Sequence, residues 1–151
     1  METQRSSPLA SEYRLKRRVQ FYETDAAGIV HFSWFFRYME EAEHALWRQA
    51  GLSIAPLETE IGWPRVAASF EFHRPLRFED EFEVCIRVAA ITEKTIRYSC
   101  VITSGATRIA KGSLTIACVS RRQQEAMKAI PIPAEIAARF QIASGGDAER
   151  T

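Results

Sequence analysis

No apolar run in this 151-residue chain approaches the ~18 residues that a membrane-spanning helix needs. An excess of charge is missing too. Lys and Arg number 20 against 19 Asp and Glu, a net +1, which leaves no broad electrostatic footprint for nucleic acid. Cysteine is scarce. Cys85, Cys100 and Cys118 are odd in number, widely spaced and form no Cys-x-x-Cys pair, so a disulfide scaffold, a zinc site and a redox pair are all poor readings. They fall in apolar strand patterns and read as buried free thiols of a reducing compartment. The first residues lack the apolar core of a secretory leader, which makes the cytoplasm the expected location. The chain has no Gly-x-Ser-x-Gly, phosphate-binding loop or dinucleotide fingerprint. It has no internal repeat or low-complexity tract either.

What is present reads as one domain. A chain of this length can bury roughly two thirds of its unfolded surface, enough for a core without disulfides or metal. Residues 1–12 and 144–151 are polar and aperiodic, so flexible ends are expected around a domain over residues 13–143. Tyr13, Leu15, Val19 and Phe21 share one face of a half-buried strand. Ser33 to Ala50 then takes a helical period, with Phe35, Tyr38, Met39, Ala42, Ala45, Leu46 and Gln49 near the i, i+3, i+4, i+7 spacing. Ser33 suits the N-cap and Gly51 the C′ position.

Four strand patterns follow. Val66, Ala68, Phe70 and Phe72 alternate until Pro75. The next two are Phe82 to Ala90 and Ile96 to Ile102. The last begins on odd positions, Thr107, Ile109 and Lys111, and resumes on even ones, Leu114, Ile116 and Cys118. That change of phase predicts a β-bulge at Gly112-Ser113. A short amphipathic stretch, Ala134 to Phe140, ends the pattern. Short connections imply antiparallel pairing, and the long helix must lie on the sheet. The class is α+β: an antiparallel sheet of about five strands with one long helix. Open sheet edges make edge-to-edge dimerisation a reasonable expectation.

The informative stretch is Phe21-Tyr-Glu-Thr-Asp25-Ala-Ala-Gly28-Ile-Val-His31-Phe32-Ser33-Trp34-Phe35. An acidic residue lies on a loop between a strand and a long helix. Gly28 permits a tight turn, and the helix start offers unpaired N–H groups at a positive dipole end. A carboxylate beside such donors suits attack on an activated carbonyl, with main-chain N–H groups holding the oxyanion. Thr24 and Asp25 equally suit turn and cap roles in any strand-to-helix loop.

The segment closely resembles the signature of the 4-hydroxybenzoyl-CoA thioesterase family of hot-dog-fold proteins. The match runs Tyr22, Thr24, Asp25, Ala26, Ala27, Gly28, Ile29, Val30, His31, Phe32, with Glu40 on the helix. It extends through Gly51-Leu52 and more loosely to about Phe140. The resemblance implies a curved antiparallel sheet wrapped round one helix, and dimers or tetramers with acyl-CoA sites at the dimer interface. It implies hydrolysis of an acyl-CoA to free acid and coenzyme A, with no cofactor beyond the coenzyme A of the substrate. Asp25 matches the catalytic carboxylate, as general base or nucleophile. Phe32 matches the residue whose main-chain N–H polarises the thioester carbonyl, and Gly28 the loop glycine. Many relatives carry Tyr-His where this chain has His31-Phe32, so His31 is displaced by one position and is pocket wall or participant.

Lys94 matches a basic turn in relatives. With Arg121 and Arg122, and Lys128 nearby, it is a candidate for the phosphates of coenzyme A. Glu40 suits a structural contact. Glu41-x-x-His44 has a metal-site spacing but no second copy, which leaves an ion-paired face. His73, beside Arg74-Pro75, has no partner visible in the sequence. The aromatics Tyr22, Phe32, Trp34 and Phe35 suit an aromatic or medium acyl group and equally suit core packing. Two other functions fit the same fold: a thioesterase acting on acyl carrier protein, and a non-catalytic acyl-thioester binder.

Overall fold

The long helix organises the fold. In the computed structural model, which describes residues 9–122 and 127–144, the helical period becomes α1, Ser33–Gln49. Its buried residues are Phe35, Tyr38, Met39, Ala42, Glu43, Ala45, Leu46 and Trp47. Gln49 is exposed instead of buried, because the helix closes there and Ala50 takes the inward place. Gly51 sits at φ +79°, its N–H donates to the Arg48 carbonyl at 3.0 Å and the Leu52 N–H to that of Trp47 at 2.9 Å. This is a Schellman closure with glycine at C′, as the sequence implied. The other end corrects the expectation. Phe32, not Ser33, is the N-cap, and it makes no side-chain cap. His31 stands in, its Nδ1 accepting the Ser33 N–H at 3.3 Å.

Five strands form the main sheet in the order β1-β4-β5-β6-β3, every neighbouring pair antiparallel. They are β1 (Glu12–Arg18), β3 (Arg65–Phe72), β4 (Glu81–Ile91), β5 (Thr95–Ser104) and β6 (Thr107–Ala117). A small second sheet joins β2 (Ile61–Gly62), β7 (Val119–Ser120) and β8 (Lys128–Ala129). A short helix, α2 (Ala134–Ala137), follows. Helix α1 touches β4 and both edge strands, β1 and β3. Those edges would stand roughly 19 Å apart in a flat sheet, while a helix with its side chains is about 10 Å across. The sheet therefore curls round α1. Phe82, Val84, Ile86, Val88, Ile96, Tyr98, Cys100 and Ile102 fill the space between, and the Trp47 indole N–H donates to the Tyr98 hydroxyl at 2.8 Å. Cys85, Cys100 and Cys118 are free and buried, and burial raises each thiol above its ordinary pKa.

Strand β6 corrects the bulge. Gly112 and Ser113 pair in register with Cys100 and Ser99. The slip falls between Ile102↔Ala110 and Thr103↔Arg108, which makes Ile109 the extra residue. Ile109 and Ala110 are consequently both buried. Gly112 serves a different purpose: a Cβ there would run into the Ser69 carbonyl oxygen and the Phe70 ring. Strand β3 forms where expected, but the expected alternation does not appear in its burial: all but Phe70 is exposed, and among the described residues its outer edge carries no neighbour.

The expected flexible ends at residues 1–8 and 145–151 lie outside the described residues. Residues 9–12 are tied down instead of loose. Ala10 is buried, donates to the Arg139 carbonyl at 3.0 Å and accepts from the Gln141 N–H at 2.9 Å. Among the described residues no helix is long and apolar enough to cross a membrane.

Candidate active site

Between β1 and α1 the chain makes a one-turn 3₁₀ helix, Phe21–Glu23, and then a tight hairpin over residues 24–30. The Asp25 carbonyl accepts the Gly28 N–H at 2.9 Å and the Asp25 N–H donates to the Ile29 carbonyl at 2.9 Å. The β-turn needs a left-handed residue at its close, which Gly28 supplies at φ +79°. The Asp25 side chain stiffens the turn, its Oδ1 accepting the Ala27 N–H at 2.8 Å. Among the described residues Oδ2 has no partner. The turn role read from the sequence is thus filled by Oδ1, and the residue that carries it is half-buried.

The hairpin delivers the chain directly to α1. At that helix start the Ser33 N–H meets His31 Nδ1, the Trp34 N–H meets the His31 carbonyl at 2.9 Å and the Phe35 N–H meets the Phe32 carbonyl at 3.2 Å. The Phe32 N–H has no acceptor among the described residues. An unpaired donor at the positive end of a 17-residue helix is chemically suited to an oxyanion.

Asp25 and Phe32 line one cavity of about 430 Å3. Ile29, Val30, Phe35, Phe72 and Pro75 make its apolar wall, and His73 and Arg74 join them. The sequence offered His73 no partner. The structure shows how it arrives: the His73 and Arg74 N–H groups both donate to the carbonyl of Ile109, at 2.8 and 3.1 Å. The end of β3 is thus held at Ile109, and this anchorage leaves His73 and Arg74 in the cavity wall. The visible signal was a basic pair stopped by Pro75 at a strand end.

His31 is elsewhere. Its Nδ1 lies 2.8 Å from Ser33 Oγ and its ring lies 4.6 Å from that of Phe32, and it is not among the residues lining this cavity. Lys94, Arg121 and Arg122 sit at the other end of the sheet. The Lys94 carbonyl accepts the Cys118 N–H at 2.8 Å. The Arg121 N–H donates to the Glu60 carbonyl at 2.6 Å, and Arg122 Nε lies 3.5 Å from Glu60 Oε2. Phe72 is level with Ala110 and Ile102, whereas Thr95, next to Lys94, is level with Ala117. Seven residues of β5 separate those levels, roughly 23 Å.

The helix carboxylates are engaged. Glu40 accepts from Arg65 at 3.0 Å, and Glu41 accepts from Arg17 Nε at 2.7 Å. Fully buried Glu43 takes two bonds from Arg65, at 2.6 and 3.2 Å. Desolvation still holds the Glu43 carboxyl above its ordinary pKa, against the pull of Arg65. Among the described residues no three His, Cys, Asp or Glu side chains converge as metal ligands would.

Residues 19–140 match the model of the Thioesterase-like superfamily. The chain belongs to that superfamily. The chain is thus a thioesterase enzyme on the hot-dog fold. An Aquifex aeolicus protein named "Putative esterase" is 35% identical over 80% of this chain and 91% of its own. A 1,4-dihydroxy-2-naphthoyl-CoA hydrolase from Microcystis aeruginosa is 26% identical over 78% of this chain and 85% of its own. A 4-hydroxybenzoyl-CoA thioesterase, solved as a mutant with 4-hydroxybenzoyl-CoA, superimposes with a TM-score of 0.74. That match covers 87% of this chain and 100% of the other at 20% identity, a likeness that shows the fold.

Proposed function

We propose that this thioesterase hydrolyses an acyl-CoA carrying an aromatic acyl group, with Asp25 as the catalytic carboxylate and the Phe32 N–H as the oxyanion donor. The observation that carries the reading is the meeting of a partly free carboxylate and an uncommitted main-chain N–H on one cavity walled by Phe35 and Phe72. Two relatives in superfamily or fold are named for hydroxylated aromatic acyl-CoAs, and the aromatic wall is consistent with such a ring.

In the general-base route Asp25 takes a proton from water, and the hydroxide adds to the thioester carbon. The carbonyl oxygen becomes an oxyanion facing the Phe32 N–H. Collapse breaks the C–S bond, and the departing thiolate takes up the proton to give free coenzyme A and the acid. In the nucleophilic route the same carboxylate attacks the carbon and expels the coenzyme A thiolate, and water then cleaves the resulting anhydride, releasing the acid, restoring the carboxylate and supplying the proton that the thiolate takes up. Neither route needs a cofactor beyond the substrate's own coenzyme A. His31 acts here as the cap of α1: its Nδ1 is engaged by Ser33 and its ring is not part of the cavity lining.

The working unit is a homodimer joined through β3, an edge without a strand partner among the described residues and with exposed Val66 and Phe72. Antiparallel pairing of two β3 strands sets the Arg65 end of one against the Phe72 end of the other. Lys94, Arg121 and Arg122 of the partner subunit then approach the cavity holding Asp25, as coenzyme A phosphates require. The enzyme acts in the cytoplasm.

Thiol release from a panel of short-chain, long-chain and aromatic acyl-CoAs, wild type against Asp25→Asn, tests the reading. Turnover fastest on the aromatic members and abolished by Asp25→Asn, with fold and assembly kept, is the expected result. Equal slow release from both proteins would overturn it and turn attention to acyl groups on carrier protein or to binding without catalysis.

A further inference from the structure

Two residues before Asp25 lies a second carboxylate that the mechanism does not use. Glu23 has no exposed surface, although a glutamate on a loop is ordinarily solvated. It is fully satisfied inside. Its Oε1 accepts the Gln20 N–H at 2.8 Å and the Tyr38 hydroxyl at 2.9 Å. Its Oε2 accepts Arg17 Nη1 at 2.7 Å. Arg17 is itself fixed: its Nε binds Glu41 at 2.7 Å, and its guanidinium carbon lies 4.7 Å from the centre of the Tyr38 ring. Burial and the Glu23 charge together raise the Tyr38 phenol well above its ordinary pKa, so it remains a donor.

The main chain of the same residue closes the active hairpin. The Glu23 carbonyl accepts the His31 N–H at 2.9 Å, and its neighbours Thr24 and Val30 pair across the hairpin. Asp25 and Phe32 each adjoin this closure, one on each strand. The side chain anchors the residue to β1 through Arg17 and to α1 through Tyr38. A buried charge is costly unless paired, and a paired one fixes geometry.

We propose that Glu23 is the positioning residue of the site, a core carboxylate that holds the base-bearing hairpin and the oxyanion-bearing helix start in one fixed relation. The inference rests on the assignment of Asp25 and Phe32 above. Glu23 is sealed from the cavity, so it acts on the reacting groups only through the backbone. Loss of its charge frees the hairpin to shift against α1, and displacements near 1 Å cost on the order of a hundredfold in rate.

The test is Glu23→Gln, beside Asp25→Asn and a control, Tyr98→Phe, which removes a buried hydroxyl at the other end of α1. Glu23→Gln is expected to lower kcat about ten- to a hundredfold with KM within twofold of wild type. Amide hydrogen exchange should rise at residues 25–31. Tyr98→Phe should lower Tm while keeping kcat. A folded Glu23→Gln protein with wild-type kcat, or one whose only change is in KM, overturns the proposal. With Asp25→Asn inactive, that result sinks the positioning role alone. Wild-type turnover in Asp25→Asn sinks the assignment of the base and the positioning role with it. Should Glu23→Gln fail to fold, Tyr38→Phe decides, since it removes one of the three bonds. A several-fold fall in kcat at constant KM supports the proposal, and unchanged kcat overturns it.

Discussion

Replacing Phe32 by proline deletes one N–H from the helix start and alters little else in the main chain. Phe32 sits at φ −56°, within the range that the pyrrolidine ring imposes, and proline is tolerated in the first turn of a helix. No hydrogen bond within the described residues is lost, because the Phe32 N–H has no acceptor there. The side chain is 60% exposed, so losing it costs the core little. The ring does line the cavity, and the proper reference is therefore Phe32→Ala, which removes the ring and keeps the N–H. If this donor holds the oxyanion, kcat of Phe32→Pro should lie about 10²–10³ below that of Phe32→Ala, on the order of 3–4 kcal/mol of transition-state stabilisation. The two variants should melt within about 3 °C of each other. The assay is thiol release on the best acyl-CoA of the panel, with circular dichroism melts on the same samples. A Phe32→Pro protein that stays folded and turns over within threefold of Phe32→Ala would refute the oxyanion assignment.

Other outcomes follow from the same geometry. Gly28→Ala forces a Cβ onto a residue at φ +79° in space that is otherwise open, so backbone strain alone should cost about 1–2 kcal/mol, or roughly 3–6 °C in Tm. It should also lower kcat by loosening the turn that carries Asp25. Gly112→Ala should cost at least about 2 kcal/mol in chemical denaturation, since β3 must move away from β6 to admit the methyl group. Burial holds the His44 imidazole below its ordinary pKa of 6.5, against the pull of Glu40. The unfolded chain therefore binds more protons between the lowered value and 6.5, and stability should rise with pH across that window. Below about pH 6.5 the urea midpoint should fall on acidification, and His44→Gln should flatten that part of the curve.

How much of this was legible depended on whether local pattern decided the outcome. The period of Phe35, Tyr38, Met39, Ala42 and Leu46 marked the helix and its buried stripe, and Gly51 marked its end, because both are set within one turn. The stretch from Tyr22 to Phe32 marked the hairpin and the helix start. Glu23 and Glu43 were not legible as buried. Each is satisfied by an arginine from another element, Arg17 on β1 and Arg65 on β3, and a side chain with a distant partner looks locally like a solvated one. The bulge was misplaced because glycine is a common bulge residue, whereas Gly112 is required for close approach and the extra residue is the apolar Ile109. His73 and Arg74 reach the cavity through that same Ile109 carbonyl, a contact that only the fold creates. Lys94, Arg121 and Arg122 share a sheet end remote from Asp25 in one protomer, and no pattern along the chain reports which end of a sheet a turn occupies.

The missing methyl at Gly112 also shapes the recess where the acyl group would lie. Phe70 occupies the volume that a side chain at position 112 would need. From there its ring meets Phe35 edge-on at 5.9 Å and stacks on Phe72 at 6.1 Å, both of which line the cavity. A contiguous wedge of rings thus runs from Gly112 to the cavity wall on the face that packs against α1. Enlarging position 112 is expected to push that wedge forward, and with the proposed function it should shift the preference between narrow and wide acyl groups although residue 112 is not part of the cavity lining.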